Sequence, residues 1–224
     1  VDLTVASALE ELDPLFEGPD FDLVLCDAEM LDAVEKIARA KPNTPMALLV
    51  GLDMKFYLSV LKKFPDQMFF VSRDVNNKAF TIKNISTTVS KILNQDFFGL
   101  DKYLSWGSRI QEKPVVEAQS RESLIESMKE HFKGFGIRSA ILDRVHTVAE
   151  ELLMNAIYDA PVDAQGKPLY NHLDRREKIV LAPEHQSKFR YGTDGMLLAI
   201  SVADPFGALP KNIIMRYLES GYAG

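Results

Sequence analysis

Three short, uninterrupted apolar runs, each followed by a helix-periodic segment, leave few folds open to the first half of this chain. Asp22-Leu23-Val24-Leu25-Cys26, Pro45-Met46-Ala47-Leu48-Leu49-Val50 and Met68-Phe69-Phe70-Val71 read as strands. Between and after them, Met30, Val34, Ile37 and Ala38, then Phe56, Leu58, Val60 and Leu61, then Ile82, Ile85, Val89, Ile92 and Leu93 recur at three- and four-residue steps, as on helices. Strands that are apolar throughout, rather than at alternate positions, are covered on both faces. That requires a parallel sheet with helices on either side, a doubly wound α/β layout.

In such sheets ligands gather beyond the carboxyl ends of the strands, and Asp27 stands there, directly after the first run. On these residues the segment 1–95 resembles response-regulator receiver domains, whose flavodoxin-like fold ends the corresponding strand in a phosphate-accepting aspartate. The resemblance implies Asp27 as phosphoacceptor. It departs from the family at the magnesium-binding acids of the first strand, at Gly51 after the second run, and at Ser72-Arg73, where the family carries a lysine. Without a metal and that cation, phosphoryl transfer to Asp27 loses most of its charge neutralisation. A degenerate, receiver-like docking domain is therefore the expectation, and a helix N-cap is the plain structural role for Asp27.

At 224 residues the chain is comfortable for two domains. Its net charge of -6 argues against nucleic acid as a partner, because no basic surface is available to release counterions from phosphates. The single cysteine, Cys26, excludes an internal disulfide and fits a reducing compartment, and four scattered histidines offer no zinc-type spacing. No run approaches the ~18 apolar residues of a membrane span, and the N-terminus lacks the order of a signal peptide. A cytoplasmic protein without a membrane partner is expected. Periodicity breaks from Asn94 to Val116, where Phe97-Phe98-Gly99, Tyr103-Leu104-Ser105-Trp106-Gly107 and Lys113-Pro114 occur. Residues 96–116 therefore read as a linker whose aromatics pack between domains or meet a partner.

In residues 117–224, Ser120 or Ser123 can cap a helix through Leu124, Ile125, Met128 and Phe132 that ends near Gly134 and Gly136. A second helix begins between Ser139 and Asp143, with Val145, Val148, Ala149, Leu152, Leu153, Ala156 and Ile157 as its apolar positions. At ~100° per residue, Thr147, Glu151, Asn155 and Asp159 form a separate polar stripe, and Glu150 points elsewhere. Glu151 and Asn155 can therefore meet one ligand. A carboxylate can deprotonate a hydroxyl, and a carboxamide oxygen is a hard donor for Mg²⁺, a pairing that suits a nucleotide. A polar helix side facing solvent is the competing reading. Further on, Lys178–Leu181 and Met196–Val202 read as strands, and the second runs into Ala203-Asp204-Pro205-Phe206-Gly207, which alone would be a turn.

Taken together, Glu151-Leu152-Leu153-Met154-Asn155-Ala156 on a helix and Ser201-Val202-Ala203-Asp204-Pro205-Phe206-Gly207 after a strand resemble the GHKL, or Bergerat-fold, ATPases. Within that family the helix, glycine-bearing turn and motif helix are most similar to the anti-sigma-factor serine kinases. The resemblance implies an α/β-sandwich ATP-binding domain with ATP and Mg²⁺ as cofactors. Glu151 would be the general base, Asn155 the Mg²⁺ ligand, Asp204 the acceptor of the adenine amino group and Gly207 the point of close backbone approach, with Asp159 on the same stripe toward the cofactor. It implies as partner a regulatory protein, anti-sigma or anti-anti-sigma-like, that is phosphorylated on Ser or Thr or sequestered; a non-catalytic adaptor and a histidine-kinase fragment are the alternatives. His131 is followed by Phe132 rather than an acid and His146 lies on the motif helix, so neither reads as a phosphoacceptor. The family's second glycine motif would only be beginning at Gly221-Tyr222-Ala223-Gly224, so a weakened phosphate clamp is expected. Both resembled families commonly dimerise, which makes a homodimer one implied assembly.

Overall fold

The computed structural model describes residues 2–51, 55–64, 68–207 and 211–222, and the chain divides into two compact units, Val1–Phe97 with Asn212–Gly224, and Phe98–Lys211. It is mixed α/β, with one parallel and one antiparallel sheet.

The first unit runs α1 (Asp13–Phe16), β1 (Val24–Asp27), α2 (Leu31–Ala40), β2 (Met46–Val50), α3 (Lys55–Lys63), β3 (Met68–Ser72) and α4 (Lys78–Asn94). The three strands are parallel in the order β1-β2-β3, so each connection must cross over and each carries a helix. Central β2 is buried along both faces, which is why it reads as continuous hydrocarbon: Met46, Ala47 and Leu48 have no exposed surface. Ala33, Val34, Ile37 and Ala38 of α2 pack onto the same core. Burying side chains the size of Val34 and Leu48 contributes about 1.5–3 kcal/mol each. The edge strand β1 departs from the expected double coverage, since Leu25 is 43% exposed. So does α4: of its apolar stripe only Ile92 is buried, while Ile82 and Leu93 face solvent. The side chains of Phe56 and Val60, expected on the apolar face of α3, lie outside the described residues.

The second unit runs β4 (Ile110–Val115), α5 (Arg121–Lys133), α6 (Ser139–Met154), a π-helical turn over Asn155–Asp159, β5 (Ser187–Thr193) and β6 (Leu198–Ala203). The strands form an antiparallel sheet in the order β4-β5-β6. Side chains alternate across β5: Ser187, Phe189 and Tyr191 are buried and Lys188 is exposed. Phe189 and Tyr191, with Leu198, Ile200 and Val202 of β6, pack against Leu124, Ile125, Met128 and Phe132 of α5 and Leu142, Ala149 and Leu153 of α6. Both helices therefore cover one face of the sheet.

Three expectations need correction here. Ile110–Val115, read as linker, is β4, paired along its length with β5; Pro114 is tolerated because β4 is an edge strand. Lys178–Leu181 is not a strand but forms a single bridge, Glu117 to Val180, flanked by Ala118 N–H donating to Ile179 O and Leu181 N–H to Val116 O, 2.9 Å each. The strand that does precede β6 is Ser187–Thr193, where Lys188, Arg190 and the small Gly192 mask the apolar alternation. The remaining helix, α7 (Lys211–Tyr222), groups from Asn212 with the first unit, where Glu219 pairs with Lys62 of α3, rather than with residues 117–211 as the sequence suggests.

The aromatic stretch after Phe98 is held to the second unit by one carboxylate. Asp194, at the β5–β6 turn, accepts hydrogen bonds from Met196 N–H (3.1 Å) and Leu197 N–H (2.8 Å) and from both Ser105 N–H and Ser105 Oγ–H (2.9 Å). Burial works against its charge, but these hydrogen bonds outweigh it and hold the carboxyl well below the usual carboxylate range. A carboxyl depressed in the folded state stabilises above its unfolded pKa of ~3.9, and that stability is lost as pH falls below it. Asp194→Ala should cost about 1–2 kcal/mol at pH 7 after allowance for solvent screening. In urea titrations followed by circular dichroism, the difference from the parent protein should shrink below about pH 4; an unchanged difference at pH 2.5 would contradict this.

Candidate functional site

The stripe that the sequence places on α6 is exposed on the structure: Thr147, Glu151, Asn155 and Asp159 all face outward, whereas Leu142, Ala149 and Leu153 face the sheet. Glu150 lies off the stripe, where its carboxylate accepts from Arg121 Nε–H at 2.7 Å. Among the described residues the side chains of Glu151 and Asn155 take no hydrogen-bond partner. Asp159 faces Arg175 at 4.0 Å, and the Arg175 guanidinium lies 4.0 Å from the centre of the Tyr158 ring.

The helix changes its winding at Asn155. The Ala160 N–H donates to Asn155 O at 2.8 Å, an i+5 bond, and Asn155–Asp159 forms one π turn. Such turns are rare and cluster at functional sites. Here the extra residue per turn lets three consecutive side chains, Ala156, Ile157 and Tyr158, enter the core while Asn155 and Asp159 on either side remain outside.

Asp204 ends β6. Its Oδ1 accepts from Phe206 N–H at 2.8 Å and Gly207 N–H at 3.1 Å, an Asx turn, and Gly207 closes it at φ +61°, the left-handed region that favours glycine. A Cβ at Gly207 would meet open space, so its requirement for glycine is conformational. Asp204 Oδ2 accepts no hydrogen bond among the described residues. The β5–β6 register ends at the Lys188–Ala203 pair, and Ser187 and Asp204 lie just beyond it. His185 lies against Phe206 at this end of the sheet, with ring centres 5.1 Å apart. The Val202 side chain packs on the face that meets α5 and α6.

Strand pairing and an ion pair connect this corner to the motif helix. Ser187 pairs with Val115 on its other side; six residues later Arg121 opens α5 and bonds Glu150, next to Glu151. Asp204 and the carboxyl-terminal part of α6 thus lie at the same end of the unit. No direct contact joins Asp204 to Glu151 or Asn155 among the described residues; residues 208–210 lie outside them.

In the first unit, Asp27 sits at the carboxyl end of β1 as expected, but it does not cap α2, whose first residue follows Met30. Its Oδ1 accepts from Glu29 N–H at 3.1 Å, and its Oδ2 forms an ion pair with Arg73, just past β3. The arginine that stands where a lysine was sought thus supplies a cation to Asp27, a pairing of two strand ends that only the parallel register of β1, β2 and β3 produces. Burial, with the charge of Asp27 beside it, pushes the Cys26 thiol up to about 11, so it is an inert core group. A hollow of about 560 Å³ is bordered by Phe16, Asp32, Glu35, Lys36, Arg39 and Ala40, and Asp27 is not among its lining residues. Lys36 pairs with Asp13 at 2.6 Å and Glu35 with Lys63 at 2.6 Å and with Arg39 at 3.1 Å.

His131 packs its ring among Phe132, Phe135 and Tyr191, and burial pushes its pKa down, which agrees with a structural rather than a phosphoaccepting role. Among the described residues no group of three or more His, Cys, Asp or Glu is arranged to hold a metal, and no helix is long and apolar enough to cross a membrane. No protein-family model, curated protein or solved structure matches the chain.

Proposed function

We propose that the second unit is a GHKL-type, Bergerat-fold ATP-binding domain that takes ATP with Mg²⁺ and phosphorylates a serine or threonine of a regulatory protein, or sequesters it, and that the first unit is a degenerate receiver-like docking domain. What supports this reading is that Glu151 and Asn155, exposed and without hydrogen-bond partners among the described residues, stand on the end of the motif helix that lies at the same end of the unit as Asp204. A strand, two helices and then an antiparallel strand pair ending in the aspartate is also the order of elements such a domain requires.

The donor set fits the proposed group. Asn155 presents a free carboxamide oxygen at the π turn, suited to Mg²⁺, which keeps waters and phosphate oxygens as its other ligands. Bound there, the metal would neutralise phosphate charge. Glu151, one turn earlier, takes the proton of the attacking hydroxyl, and Asp204 Oδ2 accepts from the adenine amino group. Gly221 lies in the last turn of α7. For the first unit, Gly51 after β2 and the departures from the receiver pattern named above favour docking, while Arg73 supplies the cation beside Asp27.

Titration with a fluorescent ATP analogue tests the reading. Binding should be tighter with Mg²⁺ than with EDTA, and Asn155→Ala should remove most of that difference, roughly a tenfold change, while leaving the Mg²⁺-free affinity near the parent value. Absence of binding under both conditions would exclude the kinase and leave a nucleotide-independent adaptor.

A further inference from the structure

Tyr158 is buried where an ordinary helix would leave it in water. At ~100° per residue it would stand ~60° from exposed Asn155 and ~140–180° from the core residues Leu153 and Ala149, yet it has no exposed surface. Two features account for this. The π turn over Asn155–Asp159 takes an extra residue, which rotates Tyr158 back toward the core. The Arg175 guanidinium then covers the ring, 4.0 Å from its centre, and the Tyr158 O–H donates to Arg175 O at 3.3 Å.

Arg175 also sets what Asp159 meets. Asn155 and Asp159 are one turn apart, a spacing at which a carboxamide N–H donates to a carboxylate on a regular helix. Here Asp159 faces Arg175 at 4.0 Å, and the Asn155 side chain takes no partner among the described residues. Between groups 41% and 51% exposed, that ion pair contributes little by itself. The stacked contact is the stronger of the two, because the ring beneath the cation is fully desolvated.

We infer that Arg175 is a positioning residue: its stacking on Tyr158 holds the π turn and its charge draws Asp159 away from Asn155, so that the Asn155 carboxamide is presented outward and unengaged. That the carboxamide then meets Mg²⁺ rests on the nucleotide reading above; the hold on the helix winding does not. Arg175 comes from residues 161–182, which form neither helix nor strand, so no periodicity in the sequence marks it.

The test uses the full chain with Arg175→Ala and Arg175→Lys, and two measurements. The first is the through-hydrogen-bond scalar coupling, by nuclear magnetic resonance, between the Ala160 nitrogen and its acceptor carbonyl. In the parent the acceptor is Asn155, whereas an α turn makes it Ala156. Arg175→Ala should move the coupling to Ala156, and Arg175→Lys, which keeps a cation over the ring, should keep it on Asn155. The second is titration with a fluorescent ATP analogue. Arg175→Ala should bind about three- to tenfold more weakly than the parent with Mg²⁺ and within about twofold of it in EDTA, and Arg175→Lys should recover most of the loss. A folded Arg175→Ala protein that keeps the coupling on Asn155 overturns the inference, whatever the nucleotide result. If the coupling moves but the Mg²⁺-dependent affinity is unchanged, the role of Arg175 toward the metal is overturned. If the coupling moves and the parent binds no nucleotide with or without Mg²⁺, the nucleotide reading is overturned and the hold of Arg175 on the winding is upheld. Arg175→Gln, which keeps most of the reach and loses the charge, should give the Arg175→Ala readings and replaces that variant should it not fold.

Discussion

Asp204→Asn should lower affinity for ATP by roughly 10- to 150-fold while leaving the second unit folded. The two halves of this expectation come from the two oxygens of one side chain. Oδ1 holds the Asx turn through Phe206 N–H and Gly207 N–H, and an asparagine oxygen accepts the same two bonds, so the turn and the strand end survive. Oδ2, which accepts no hydrogen bond among the described residues, becomes an amide NH₂ that meets the amino group of the base donor to donor. A hydrogen bond to a charged group contributes about 1.5–3 kcal/mol, which gives the stated range, and the clash of donors places the result toward its upper end. Calorimetric titration of ATP with parent and variant, alongside circular dichroism of both, checks it. Parent-like affinity in a folded Asp204→Asn protein would remove Asp204 from the site.

The second large effect concerns stability alone. Phe132→Ala should cost about 3–5 kcal/mol, a large part of the roughly 5–15 kcal/mol that holds an ordinary domain together. Phe132 is fully buried where α5 meets the sheet, its ring 6.0 Å from that of Tyr191 at 70°, and it lies in the cluster that also holds Met128, Leu142 and Leu153. Removing the ring deletes its transfer energy and leaves a cavity that the helix, anchored by three other buried residues, cannot close. Phe135, one turn later and 52% exposed, provides the comparison: Phe135→Ala should cost under about 1 kcal/mol. Urea unfolding followed by circular dichroism measures both, and similar costs for the two would show that the packing described around α5 is mistaken.

Particular residues show how far a linear reading reaches. Met46–Val50 is legible as a doubly covered strand because burial on both faces removes every reason for a polar residue, leaving a run of hydrocarbon. The α6 stripe is legible because a helix repeats every ~3.6 residues, so the exposure of Glu151 and Asn155 follows from their spacing to Ala149 and Leu153. By contrast, Ser187–Thr193 contains Lys188, Arg190 and Gly192 and escapes notice, because each is tolerated by a neighbour distant in sequence: Arg190 bonds Glu112 across β4 at 2.5 Å, and Gly192 lets Arg109 O approach to 3.0 Å of where a Cβ would stand.

What the chain's order of residues determined by itself is local and periodic: the parallel βα repeats of the first unit, the amphipathic helices of the second and the turn chemistry of Asp204 and Gly207. These follow from the geometry of a few adjacent peptide units and from which side chains water rejects. Only the tertiary structure decided that Arg73 meets Asp27, that Ser105 is tied to Asp194 and that Ser187 is buried with its hydroxyl unpaired. Such meetings depend on strand register and on which elements share a sheet edge. Register is set by the sum of many weak packing contacts, and no single one of them leaves a mark in the sequence.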